Sequence, residues 1–151
     1  MMTKAASDVR VRGLDTIDIG AVVRIDEKIG GEYRPDVWEE RIGYYLRRDP
    51  DAALVAEVDG EVVGFMLGEV RSGEFGLEEP TGWIEVMGVD PDYQGRAVGR
   101  RLTEALFGHF KSCEVHLVRT LVDEKMTSIA AFFASVGFEP EPLRPFVKRL
   151  S

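Results

Sequence analysis

One cysteine, Cys113, and two histidines, His109 and His116, are all this chain offers for thiol or soft-metal chemistry. A single cysteine excludes an internal disulfide framework and a thiolate metal cluster. The two histidines are too few and wrongly spaced for a metal site, so no metal is expected. Positive charge is also short, with 19 Lys and Arg against 27 Asp and Glu, a net charge of -8. Phosphate backbones want a basic surface, so nucleic acid is not the expected partner. No apolar run approaches the ~20 residues of a membrane-spanning helix, and no membrane partner is expected. The stretch from Met1 to Val11 carries Lys4, Asp8 and Arg10 and no apolar core, unlike a secretory signal. Together these absences favour the cytoplasm. Repeats, low-complexity tracts and linkers are missing too, which leaves residues 1–151 as one expected domain.

The apolar pattern supplies the elements. Val9 to Arg12 reads as a first strand. Asp15 or Thr16 can cap a helix with Ile17, Ala21, Val22 and Ile25 on one face, stopped by Gly30 and Gly31. Pro35 suits a first helical turn, and Trp38, Ile42, Tyr45 and Leu46 make a second amphipathic helix, ended by Asp49-Pro50. Leu54 to Val58 and Val62 to Val70 are strands joined by Asp59-Gly60, a pair favoured in two-residue hairpins. Arg71 to Gly82 reads as a polar loop with Glu74, Glu78 and Glu79, either solvated or the rim of a cationic-substrate site. Trp83 to Val89 is a strand, and Val98, Leu102, Ala105, Leu106 and Phe110 mark a helix. Val115 to Val122 is a strand, Ile129 to Val136 a helix closed by Gly137, and Phe146 to Leu150 a last short strand. The order β-α-α-β-β-β-α-β-α-β predicts an α/β fold, a mixed sheet with helices packed on it.

The informative stretch runs from Val89 through Leu102. It joins a strand end to a helix start. Gly95, Ala97 and Gly99 keep that turn nearly free of side chains, so a ligand can approach the main chain. The helix start offers free N–H groups and the positive dipole end, which suit a phosphate or pyrophosphate. Arg96, Arg100 and Arg101 add positive charge in an acidic chain. Neither the G-x-x-x-x-G-K-[ST] loop nor the G-x-G-x-x-G dinucleotide fingerprint is present.

This stretch resembles the acetyl-CoA-binding motif of the GNAT superfamily of N-acetyltransferases, Q/R-x-x-G/A-x-G/A after a strand ending in V-x-P. Gln94, Ala97 and Gly99 fall on the signature positions, and Val89 and Pro91 on the lead-in. Ala130 through Phe138 resembles the family's later segment, which ends Y-x-x-x-G-F. The element order is similar to the family fold over essentially the whole chain.

The resemblance implies an acyltransferase enzyme with acetyl-CoA as co-substrate and an amine-bearing acceptor. It implies that the loop Gln94, Gly95, Arg96, Ala97, Val98, Gly99 and Arg100 holds the pyrophosphate through its main chain. The pantetheine arm would lie along the strand ending at Val89, with an N–H of Met87 or Val89 polarising the thioester carbonyl. Gly88 is the expected site of a bulge that splays the central strands. Glu85 is the first candidate base, sharing a face with Trp83, Met87 and Val89 in an alternating strand. Its plain alternative is a solvent-facing strand carboxylate. Glu32-Tyr33, between the first two helices, is the second candidate, with Tyr33 either an acceptor-contacting wall or a surface aromatic.

Two positions depart from the family pattern. Phe133 stands where a tyrosine often protonates the leaving thiolate, and phenylalanine has no proton to give. Thr127 stands where an asparagine contacts the cofactor. The implied acceptor is first a protein or peptide N-terminus or a lysine, from the acidic balance and a likeness to ribosomal-protein N-terminal acetyltransferases around Ile29 to Trp38. The alternative is a small-molecule amine such as a polyamine, an aminoglycoside or an amino acid. A non-catalytic acyl-CoA-binding sensor is the other class, kept open by Phe133. Monomer and homodimer both fit. Cys113 ends a helix with no His/Asp pairing evident beside it and reads as structural.

Overall fold

The computed structural model describes residues 8–73, 76 and 79–151. The chain divides into two compact units, residues 1–121 and residues 122–151. Glu74 and Glu78 of the predicted rim lie outside the described residues, and Glu79 is exposed.

The first unit carries a five-stranded sheet in the order β1-β2-β3-β4-β5. The strands are β1 (Arg10–Gly13), β2 (Ala53–Val58), β3 (Glu61–Arg71), β4 (Thr81–Val89) and β5 (Leu117–Thr120). The first four pair antiparallel, and β5 runs parallel to β4. Helices α1 (Ile19–Gly30), α2 (Pro35–Arg48) and α3 (Val98–Ser112) complete it. Gly31 ends α1 in the left-handed conformation at φ 82°, and Pro35 opens α2, as their positions in the sequence predict. Asp59 and Gly60, both at positive φ, make the β2–β3 turn.

Helices α1 and α2 cover one face of the sheet, where Val22, Ile25, Trp38, Ile42 and Tyr45 pack on Val55, Phe65 and Leu67. Helix α3 covers the other. There Val98, Leu102, Leu106 and Phe110 are buried, each contributing about 1.5–3 kcal/mol of burial. Glycines let α3 come that close. A Cβ on Gly82 would lie 2.6 Å from the Phe110 ring, and one on Gly64 would lie 2.7 Å from Val98.

Several predicted boundaries move. Ile17 sits in a 3-10 turn (Thr16–Asp18) and is 84% exposed, because α1 begins only at Ile19. Asp18 is what organises this turn. Its carboxylate accepts the Asp15 N–H at 2.8 Å and takes both Arg12 guanidinium nitrogens at 2.8 and 2.9 Å. The Arg12 guanidinium holds the Asp18 carboxyl below its usual range, against the opposing effect of burial. Strand β4 starts at Thr81 rather than Trp83, since pairing with Arg71 and Leu117 already begins there.

The second unit is small. It contains α4 (Thr127–Ser135), with Phe133 buried edge-on between Phe132 and Phe138, ring centroids 5.3 and 5.2 Å away. The expected last strand, Phe146–Leu150, does not form. A strand exists through its ladder, and no described strand pairs with this segment. Phe146, Val147 and Leu150 are correspondingly 96, 92 and 84% exposed.

Candidate active site

Strand β4 is the axis of the site, and its regularity breaks once. Leu67 of β3 stands opposite Val86, and the next residue, Gly68, stands opposite Ile84. Glu85 is therefore the extra residue of a β-bulge. The bulge was expected at Gly88, which is instead in register opposite Phe65. Two glycines show the consequence. Gly82 and Gly88 are an even number apart, so unbroken alternation would turn them to one face. A Cβ on Gly82 meets Phe110 on the α3 side, whereas one on Gly88 meets Phe65 on the α1/α2 side, at 2.6 Å. The bulge inverts the parity of the strand. Glu85 thus lies on the face of Trp83, as expected, but not on that of Met87 and Val89.

The Glu85 side chain, 23% exposed, pairs with Arg71 Nη2. Arg71 Nε donates to Glu69 Oε1 at 2.7 Å, and its guanidinium lies 5.0 Å from the Trp83 ring centre. Glu69 is 2% exposed, and its other oxygen is 3.6 Å from Arg48 Nε. Tyr45 of α2 faces the same group. Burial first, then the charges of Glu85 and Glu69, push its phenol up to about 12, so it stays protonated at neutral pH. A cleft of about 290 Å³ lined by Arg47, Arg48, Asp49, Glu69 and Val70 borders this cluster.

Past the bulge, β4 loses its neighbour. Pairing with β5 ends at Ile84 opposite Thr120, and the Thr120 hydroxyl donates to the Ile84 carbonyl at 3.0 Å. From Glu85 to Val89 that edge of β4 carries no strand among the described residues. The direction of its amides follows from one bond. Asp90 N–H donates across to Val63 of β3 at 2.8 Å. Amides alternate along an antiparallel strand, so Gly88 also faces β3, and the main-chain groups of Met87 and Val89 face the open edge.

The strand then runs into the predicted loop. Gln94 is extended, Gly95 has φ 81°, and Ala97 is left-handed at φ 62° immediately before α3. No side chain caps α3, and its first backbone bond runs from Arg101 N–H to Ala97 C=O. Gln94, Gly95, Arg96, Ala97 and Arg100 are exposed, Gly99 is half-buried, and Val98 is buried as the first anchor of the helix. Alternating positive-φ residues ahead of an uncapped helix are the backbone pattern of an anion site. Arg96 stacks on Tyr93 at 5.3 Å.

This loop is held from outside. Lys28 of α1 donates to both Asp90 oxygens, at 3.0 and 2.9 Å, and to Asp92 at 3.0 Å. Asp90 first, then Asp92, raises the Lys28 ammonium above its usual range. Sequence reasoning missed Lys28, which sits in an ordinary last-turn position for a cation. It also missed Arg71 and Glu69, read as loop and as strand interior.

The remaining candidates belong to other elements. Tyr33 is 67% exposed in the α1–α2 connection. Thr127 is the exposed first residue of α4, and Phe133 is in the aromatic packing of the second unit. Beside Cys113 there is, contrary to expectation, a His/Asp pair. His109 Nε2 is 2.9 Å from Asp49 and 4.0 Å from the Cys113 sulfur. One nitrogen serves both contacts, so the imidazole cannot relay between them as a nucleophile-activating base must. Among the described residues no three His, Cys, Asp or Glu gather as metal ligands, and no helix is long and apolar enough to cross a membrane.

The open edge and uncapped loop fit a ligand with an amide-bearing arm and a pyrophosphate. A mycothiol acetyltransferase of Thermobispora bispora is 37% identical over 90 residues, 60% of this chain and 30% of that protein. One of Thermobifida fusca is 38% identical over 96 residues, 60% of this chain and 29% of that protein. The chain thus matches under a third of the length of these relatives. An aminoglycoside N-acetyltransferase solved with CoA shares the fold at TM-score 0.83 and 17% identity, over 98% of this chain and 99% of that one. Ard1 from Thermoplasma volcanium superposes at TM-score 0.74 and 25% identity, over 87% of this chain and 82% of that one. The sequence also matches the profile of the Acetyltransferase (GNAT) family over residues 21–138. With a family match over most of its length and the family's fold, the chain belongs to the Acetyltransferase (GNAT) family.

Proposed function

We propose that this chain moves an acetyl group from acetyl-CoA to the primary amine of a small molecule. The observation that carries the reading is the open edge of β4, which runs from a carboxylate at the bulge to an uncapped helix start. When bound, acetyl-CoA supplies an acetyl group on a sulfur leaving group. The main chain of Gln94 through Arg100 holds the pyrophosphate, with Arg96 and Arg100 adding charge. Met87 and Val89 pair with the pantetheine arm as a neighbouring strand would, and one of their N–H groups donates to the thioester oxygen. Glu85 takes the proton that an ammonium must lose before it can attack, directly or through one water. Overall, an ammonium and a thioester become an amide, a thiol and a released proton. The roles of Thr127 and Phe133 rest on the family motif alone, as does Tyr33 as a wall of the acceptor site.

For the acceptor, a small molecule is favoured over the peptide or lysine first expected. The two sequence relatives above are named for mycothiol, and the cluster beside the bulge is walled by paired charges rather than by an exposed apolar groove. A net charge of -8 supports a cationic acceptor in either case. The test is thiol release from acetyl-CoA with spermidine, kanamycin and a free-N-terminus tripeptide. Turnover with either of the first two supports the reading. Turnover with the peptide alone restores the earlier expectation. No release from any of them, with tight acetyl-CoA binding by calorimetry, supports the sensor class instead.

A further inference from the structure

Glu85 does not stand alone at the bulge. Its carboxylate pairs with Arg71, which is itself held three ways: by the buried Glu69 at 2.7 Å, by the Trp83 ring at 5.0 Å, and by its place as the last residue of β3, opposite Thr81. A bulged residue is the one on its strand without a cross-strand partner, so pairing alone does not set the direction of its side chain. A planar guanidinium with a fixed fork can supply that direction. Glu69 gives the arginine its own fixed point, because a carboxylate 2% exposed has nowhere else to turn.

We propose that Arg71 is a positioning residue for the transfer reaction, anchored by Glu69 and holding the Glu85 carboxylate in place where the amine arrives. The inference rests on Glu85 acting as the base. The arrangement has a chemical consequence as well as a geometric one. An adjacent cation favours the charged form of a carboxylate. The other charged and titratable groups around it are Glu69 on β3, Tyr45, Arg41 and Arg48 on α2, and Arg119 on β5. Arg119 is turned to Thr81 at 3.0 Å, Arg48 is nearest Glu69, and Tyr45 is neutral through the pH range of interest. Arg71 pairs directly with the Glu85 carboxylate and is the cation that the test removes.

The test compares wild type, Glu85→Gln, Arg71→Met, Arg71→Lys and the double variant Arg71→Met/Glu85→Gln, using the best acceptor among spermidine, kanamycin and the tripeptide. Arg71→Met is expected to lower kcat/KM for the amine roughly tenfold or more, to leave KM for acetyl-CoA unchanged, and to move the acid limb of the pH profile up by about one unit. The double variant should be no slower than Glu85→Gln, because the two residues act as one unit. Arg71→Lys keeps the charge but loses the fork and should fall between. Where Arg71→Met fails to fold with Glu69 left unpaired, Glu69→Gln/Arg71→Met replaces it. A readout free of any acceptor is the carboxyl-carbon NMR titration of Glu85, expected about one unit higher in Arg71→Met. An unmoved titration, or losses that multiply in the double variant, would overturn the inference. A fully active Glu85→Gln would instead remove the base reading, and the inference with it.

Discussion

The two ends of β4 are built by different means. At its C-terminal end the site is main chain: two left-handed residues, an uncapped helix and the open amides of Met87 and Val89. At the bulge it is side chain: Glu69, Arg71, Glu85 and Trp83, partly buried and paired with one another. A main-chain site depends on conformation and is indifferent to much of its side-chain identity. A side-chain site depends on identity and on the network that aims each group. The difference predicts separable failures, loss of acetyl-CoA at one end and loss of amine reactivity at the other.

The largest separation should come from Glu85→Gln. It keeps size and hydrogen bonding but removes the proposed base, and loss of a general base typically costs 10²–10⁴-fold in rate. We expect kcat/KM for the amine to fall by about 10²-fold, with acetyl-CoA affinity by calorimetry unchanged. A parallel loss of affinity would mean that the two ends are one site. The reverse experiment is Gly95→Val. A branched residue at φ 81° is strained by about 1–3 kcal/mol, and relaxing that strain would turn the loop amides away. Acetyl-CoA should bind five- to a hundredfold more weakly, while the amine dependence at saturating acetyl-CoA holds.

That contrast also explains what the sequence could and could not tell. The turn ahead of α3 was legible because conformation leaves a residue signature, small residues at Gly95, Ala97 and Gly99 before a helical period. The hairpin at Asp59-Gly60, the helix stop at Gly31 and the helix start at Pro35 were legible for the same reason. The bulge was not. Glycine pointed to Gly88, yet Gly88 is needed to clear the Phe65 ring, and the break falls on Glu85, whose residue type carries no bulge signal. With the parity inverted there, a face assigned by counting twos was right for Trp83 and wrong for Met87. Arg71 was invisible as a partner of Glu85 because it read as loop and that pairing crosses from β3 to the bulged strand. Phe146–Leu150 has strand-forming residues, but propensity without a partner ladder makes no strand.

A smaller effect should sharpen the comparison from the loop side. Lys28 clamps Asp90 and Asp92 and so holds the main-chain site from α1. The Lys28 ammonium and Asp92 are exposed while Asp90 is buried, and a pair with one solvent-facing partner is screened and contributes little to stability. Lys28→Met should raise KM for acetyl-CoA only about two- to threefold, in the range of a screened pair, and leave the amine dependence alone. Its ammonium titrates above its usual value, so its contribution is intact below about pH 10.4 and disappears as pH rises through the folded value. The KM difference between wild type and variant should therefore be flat from pH 6 to 9.

The smallest effect is expected at Phe133, and it bears on how the reaction ends rather than on which end of β4 fails. A thiol near pKa 8.5 makes its thiolate a fair leaving group without a proton donor. If the Glu85–Arg71 pair limits the rate by setting how much amine is deprotonated, a new acid adds nothing. Phe133→Tyr should then leave kcat within about twofold of wild type. A tenfold increase would show that proton delivery to the departing sulfur limits the wild-type enzyme. The acid limb of its pH profile would then report the leaving step and not Glu85. Because that outcome would change what the Arg71 titration experiment measures, Phe133→Tyr belongs in the same series, its kcat read at saturating amine where deprotonation and departure are easiest to tell apart.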